Sequence, residues 1–182
     1  MIHKKIIIAV LCLVLISAVG DAYRDRIISD LMLIVPGFGA EKAMVGSDLN
    51  EFLQRTRRAQ YKVSRLKKAG EVFADILKIN SDIKVYFDEI YLNDETGSII
   101  YSLNKKIIAV SGLSQERQTI DMVDLKAGME NFLFNYGSAG LEKIENSISR
   151  VYIYRSSGIA LFDDGKNDTI DLYIVFPVSG IK

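Results

Sequence analysis

The sequence predicts an α+β fold of two related units, each a helix followed by a three-stranded antiparallel meander, behind an N-terminal export segment. Three observations carry that expectation: a basic start and an apolar run at the N-terminus, a change from helical to alternating apolar spacing along the chain, and the recurrence of that change in the second half.

The export segment comes first. His3, Lys4 and Lys5 precede an unbroken apolar run from Ile6 to Ile16, and small residues follow in Ser17-Ala18-Val19-Gly20-Asp21-Ala22. This is the order of an export signal. The apolar stretch is shorter than the roughly 20 residues that span a bilayer. Ala18 with Gly20, or Gly20 with Ala22, supplies the small residues that a signal peptidase requires. Residues 1–20 are therefore expected to be a cleaved signal peptide. The alternative is a retained membrane anchor, its short span accommodated by Lys4, Lys5, Arg24 and Arg26, with the rest of the chain outside. Cys12 sits inside the run behind Leu11, which does not suit a lipidation site.

Residues 21–36 read as a connector with a second apolar patch (Ile27, Ile28, Leu31, Leu33, Ile34, Val35), stopped by the breaker cluster Pro36-Gly37-Phe38-Gly39. The first unit, residues 37–113, opens with a helix: Ser47 as N-cap, Asp48 in the first turn, and Leu49, Phe52 and Leu53 on one face. An inserted second helix is expected over 61–79, on the spacing of Leu66, Phe73, Ile76 and Leu77. Strands are then expected over 84–92, 98–103 and 106–110, with turns at 93–97 and at Asn104-Lys105.

The second unit, residues 118–178, repeats this order. Leu125-Lys126 stands in the same spacing to Phe132-Leu133 as Val45-Gly46 does to Phe52-Leu53. Tyr152-Ile153-Tyr154, Gly158-Ile159-Ala160-Leu161 and residues 170–175 parallel the three strands of the first unit. Strand alternation places Tyr152 and Tyr154 on one face, with Val151, Ile153 and Arg155 on the other. The pair offers either a contact surface or aromatic cover for the core. Gly37, Gly39, Gly97 and Gly158 read as turn residues.

Composition narrows the chemistry. Lys and Arg total 23, matched by 23 Asp and Glu, so no global charge steers the chain toward nucleic acid. The single cysteine, Cys12, and the single histidine, His3, both lie in the export segment. The exported part then has no disulfide, no imidazole proton shuttle and no cysteine or histidine metal ligand. Paired carboxylates remain at Asp88-Glu89, Asp94-Glu95 and Asp163-Asp164. Neighbours on a strand point to opposite faces, so these read as strand ends and turns. No catalytic site, cofactor or metal is expected. Asp163-Asp164-Gly165-Lys166-Asn167-Asp168 has the ingredients of a calcium loop but not its spacing, and reads as a hairpin turn.

The stretch from Thr119 to Gly137, with Thr119, Asp121, Val123 and Tyr136-Gly137 ahead of an aromatic strand and a Gly-Ile strand, resembles the helix-plus-meander modules of the β-lactamase-inhibitor-protein and outer-membrane-assembly-lipoprotein superfamily. The resemblance covers about residues 119–176. It implies a tandem, exported, non-catalytic protein-binding scaffold, and it carries over no binding residue.

One charged feature stands out. Arg55, Arg57, Arg58, Lys62, Arg65, Lys67 and Lys68 form a run of seven cations with no acid between them. It suits an anionic lipid or glycan surface, or a solvated helix face. With Tyr152 and Tyr154, the residues Arg55, Arg57, Arg58, Lys62 and Arg65 make the expected interaction surface. The expected function is an envelope protein-interaction or assembly module, partnered by another envelope protein. The alternative is a periplasmic protein that binds a small molecule or glycan, with a carboxylate hydrolase a distant third.

Overall fold

The computed structural model describes residues 27, 33–56, 61–63, 87, 89–93, 95–145, 150–166 and 169–178. Among these residues, twelve strands form two sheets. In chain order they are β1 (Leu33–Val35), β2 (Gly39–Ala40), β3 (Ala43–Met44), β4 (Tyr61–Val63), β5 (Glu89–Asn93), β6 (Ile99–Leu103), β7 (Lys106–Leu113), β8 (Gln118–Thr119), β9 (Leu141–Glu145), β10 (Arg150–Tyr154), β11 (Ile159–Asp163) and β12 (Leu172–Val175). Two short α-helices, α1 (Leu49–Arg55) and α2 (Gly128–Tyr136), and a 3-10 turn over Leu125–Ala127 that leads into α2 complete the described elements.

The larger sheet has eight strands in the order β4-β5-β6-β7-β12-β11-β10-β9, antiparallel throughout. The smaller has four, β3-β2-β1-β8, with β1 and β8 parallel. This corrects the expected α+β arrangement of two helix-plus-three-stranded meander units. The fold is dominated by its sheets, and the strands of both halves run in one continuous ladder. The reason is the seam. Val110, Ser111, Gly112 and Leu113 of β7 pair with Val175, Ile174, Tyr173 and Leu172 of β12, which removes an open edge that each meander would otherwise present.

Further differences have local causes. The helix expected over 61–79 gives way at its start to β4, where Tyr61, Lys62 and Val63 pair with Asn93, Leu92 and Tyr91. An aromatic and a β-branched residue two apart suit a ladder. The anchors Leu66, Phe73, Ile76 and Leu77 lie outside the described residues. The α1 cap is Asp48 rather than Ser47: its carboxylate accepts from the Asn50 and Glu51 amides at 2.8 and 3.0 Å, while the Ser47 hydroxyl donates to the Met44 carbonyl. Leu33–Val35, read as part of a connector, forms the strand β1. β9 was not expected at all, because Leu141 and Ile144 are its only aliphatic residues.

Burial sorts the side chains into three apolar groups. The main core lies between one face of the large sheet and the helices and small sheet. It takes Phe52 and Leu53 from α1, Phe132 from α2, Ile34 from β1, and Ile100, Tyr154, Leu161 and Tyr173 from the large sheet. Fully burying Phe52 or Phe132 contributes about 1.5–3 kcal/mol each. Leu33 and Val35 alternate to the far side of the small sheet and pack with Ile27. A third group occupies the opposite face of the large sheet. Backbone closeness binds the small sheet's loop to β11 and β12: Gly158 has φ +68°, and a Cβ there would lie 2.4 Å from the Phe176 carbonyl oxygen and 2.5 Å from the Gly37 Cα, so only glycine fits.

Candidate functional site

The turn from β3 into α1 opens a cleft of about 400 Å³ lined by Met44, Val45, Gly46, Ser47, Asp48, Glu51, Phe52 and Arg55. Its floor is fixed by backbone bonds from Gly46 to the Ile107 carbonyl and from Ile107 to the Ser47 carbonyl, at 2.7 and 3.0 Å. Its rim is charged. Asp48 and Glu51 stand at the helix start, and Arg55 ends the helix with its guanidinium donating to the Lys42 carbonyl at 2.9 Å. A cation in the last turn and an acid in the first both suit the helix dipole.

Of the expected interaction residues, the structure places Arg55 on this exposed rim. Lys62 lies on the edge strand β4, and Arg57, Arg58 and Arg65 lie outside the described residues. Tyr152 and Tyr154 do not join them. Both are buried in the main core, so the contact-surface reading of the pair is corrected to core cover. Tyr154 packs against Phe132 with ring centroids 5.4 Å apart, and its hydroxyl donates to the Gly137 carbonyl at 2.9 Å. Burial raises its pKa. Their strand partners Val151 and Ile153 point to the opposite face, as alternation requires.

Sequence reasoning missed the most buried charge among the described residues. Glu41 and Lys42 are the two central residues of the β2–β3 hairpin, at φ 53° and 63°. This is the primed turn that asparagine and glycine favour, and each side chain held there costs about 1–2 kcal/mol. The turn drives Glu41 into the protein, 1% exposed. Its Oε1 accepts from the Arg117 Nε at 2.6 Å and from the Tyr173 hydroxyl at 2.7 Å. Its Oε2 is buried and has no hydrogen-bond partner among the described residues. Gly112, opposite Tyr173 in the seam, leaves the room: a Cβ there would sit 2.8 Å from the Tyr173 hydroxyl. Burial pulls the Arg117 pKa down, but the hydrogen bond and charge of Glu41 outweigh it and the net shift is upward. Burial first, and then the Glu41 charge, pushes the Tyr173 hydroxyl well above its ordinary value. A lone glycine inside an apolar strand was the available signal. The centre ties the small sheet to the seam of the large one.

The aspartate turn is engaged in a similar way. Carboxylate oxygens of Asp163, Asp164 and Asp171 lie within 4.8 Å of one another. Asp163 meets Arg150 at 2.8 Å and accepts from the Gly165 amide at 2.6 Å, Asp171 accepts from the Asp164 amide at 2.7 Å, and Asp164 pairs with Lys166 at 3.1 Å. Hydrogen bonds from the Lys166 backbone and side chain lower the Asp164 pKa. These contacts make the turn; Asn167 and Asp168 lie outside the described residues. Among the other carboxylate pairs, Asp88 and Asp94 also lie outside them, and Glu89 accepts from the Tyr91 hydroxyl at 2.8 Å. No helix among the described residues is long and apolar enough to cross a membrane, and residues 1–20 are not among them.

No protein-family model and no curated protein matches the chain. Among solved structures, it is similar to the uncharacterized protein yfeY from Escherichia coli, with a TM-score of 0.42 and 12% sequence identity over 81% of this chain and 99% of that one. At that level the likeness carries no argument about fold or function.

Proposed function

We propose that the protein is an exported, non-catalytic component of the cell envelope that acts by contact with another envelope protein, as an interaction or assembly module. The observation that carries this reading is the α1 cleft: an open, mixed apolar and charged groove whose rim residue, Arg55, begins the run of seven cations. The export pattern of residues 1–20 supports the compartment. The confinement of histidine and cysteine to that segment supports a role without catalysis. In-cell cross-linking of the full-length, C-terminally tagged protein tests the reading. Recovery of one recurrent envelope protein, weakened by Arg55→Glu, is the expected result; recovery of no specific partner would overturn it.

The cleft volume favours a second reading, binding of a small molecule or glycan, since about 400 Å³ falls within the range of small-ligand sites. A ligand-induced rise in melting temperature, abolished by filling the cleft with Gly46→Trp, would select this reading. Salt-dependent binding to anionic but not neutral vesicles would instead assign the cations to a lipid surface.

A further inference from the structure

The strand β9 ends the large sheet, and among the described residues no strand pairs with its outer side. It runs in unbroken register with β10 from Leu141 to Glu145, with neither a proline nor a bulge to spoil the edge. The neighbouring turns give the direction of its backbone groups. The Tyr154 carbonyl accepts from the Gly158 amide at 2.9 Å, so Tyr154 faces β11 and not its register partner Leu141, whose own amide donates to the Ser138 carbonyl. Backbone groups alternate in direction along a strand, so those of Leu141, Lys143 and Glu145 point out from the edge. Such an edge is a template for another strand, and charge is a usual guard against it. Here Lys143 and Glu145 supply the charge, with side chains 45% and 55% exposed and joined to each other at 2.7 Å. They are opposite in sign and two residues apart, on one face of the sheet.

We propose that β9 pairs antiparallel with β9 of a second copy of the chain, about a two-fold axis at Ile144. In such a pair the residues one step either side of the axis face each other. Lys143 of each copy then meets Glu145 of the other, and Ile144 meets Ile144. Opposite charges set directly across a ladder stabilise it and like charges destabilise it, which selects this register. Centring the axis on Glu142, Lys143 or Glu145 would set that charge against itself. The hydrogen bonds agree. Lys143 and Glu145 carry the outward groups and exchange N–H to C=O bonds across the axis, which leaves Ile144 at the closer, non-hydrogen-bonded position. Four charges of alternating sign then stand on one face, with the Lys143–Glu145 pair within each copy retained. One short strand buries little area, so the product is a weak, concentration-dependent dimer. The inference does not rest on the proposed function, whose cleft lies at β3 and α1.

The test uses the full-length chain in its own cells, with Cys12→Ser to leave no other thiol and Ile144→Cys at the axis. Cα atoms at a non-hydrogen-bonded pair lie about 4.5 Å apart, within disulfide range. Mild oxidation is expected to give a disulfide-linked dimer on a non-reducing gel, whereas Phe134→Cys, on the exposed side of α2, gives little. Adding Lys143→Glu, or Glu145→Lys, makes the four charges alike and is expected to lower the dimer yield about tenfold. Both changes in one chain restore opposite pairs and are expected to return the yield, as is co-expression of the two singly changed chains. No dimer from Ile144→Cys, unchanged yield in the single charge variants, or no recovery in the double variant would each overturn the proposal. Sedimentation of the purified chain with its native Ile144 gives a readout without the thiol. A concentration-dependent dimer lost with Lys143→Glu is expected; a monomer at every concentration, or a dimer indifferent to that change, would contradict it.

Discussion

Glu41 and Asp163 are both buried carboxylates facing an arginine, yet they are held at different ranges. Asp163 is served from nearby: Arg150 is its register partner on the adjacent strand, a quarter exposed, and the Gly165 amide comes from its own turn. Glu41 is served from afar, by Arg117 and Tyr173, and its partner guanidinium is 8% exposed. The first carboxylate organises a turn. The second connects a strained hairpin of one sheet to the seam of the other, so its loss is felt across the molecule.

Removing each arginine sharpens this contrast most. Arg117→Met strands a fully buried charge and is expected to cost about 3–5 kcal/mol in urea unfolding. Arg150→Met leaves Asp163 its backbone donor and is expected to cost about 1–2 kcal/mol. Equal losses would break the comparison. Between the two, Tyr173→Phe removes one hydrogen bond to a charged acceptor, at about 1.5–3 kcal/mol.

The same tyrosine gives the alkaline limb. Its folded pKa lies above the unfolded value of 10.0, as do those of Tyr101 and Tyr136. The folded state therefore keeps protons that the unfolded state releases, so stability is full below pH 10 and falls as the pH rises above it. Tyr173→Phe should make that fall shallower, as read by urea midpoints at about pH 9 and about pH 11. The smallest effect belongs to the aspartate turn. Millimolar calcium should leave the melting temperature unchanged, because Arg150 and Lys166 already face its carboxylates. A rise on adding calcium would show that the turn binds the ion and that its contacts yield.

Local signals in the chain were readable where one residue pattern decides one element. The alternation in Tyr152-Ile153-Tyr154 assigned its faces, Asn104-Lys105 proved to be a two-residue hairpin turn at φ 51° and 62°, and Leu49, Phe52 and Leu53 are the buried face of α1. What depends on distant pairing was not readable. Nothing local to β7 or β12 announces that they pair, and without that seam two separate meanders are the natural reading. Leu33–Val35 carries three apolar residues in a row because it is buried on both faces, which erases the period that marks a strand. Glu41 was missed for the opposite reason: a glutamate in a turn ordinarily sits in water.

β1 also carries a consequence for the order of assembly. It is made early, and its hairpin with β2 can form at once, but its parallel partner β8 lies far along the chain, with Ile34 set against Thr119. Parallel pairing across such a separation is slow because a long loop must close first. Until residue 119 is in place, Leu33, Ile34 and Val35 have no complete sheet to enter and stay sticky. The first strand is therefore completed only once the chain as far as Thr119 is present, which couples the N-terminal hairpin to the second half of the fold.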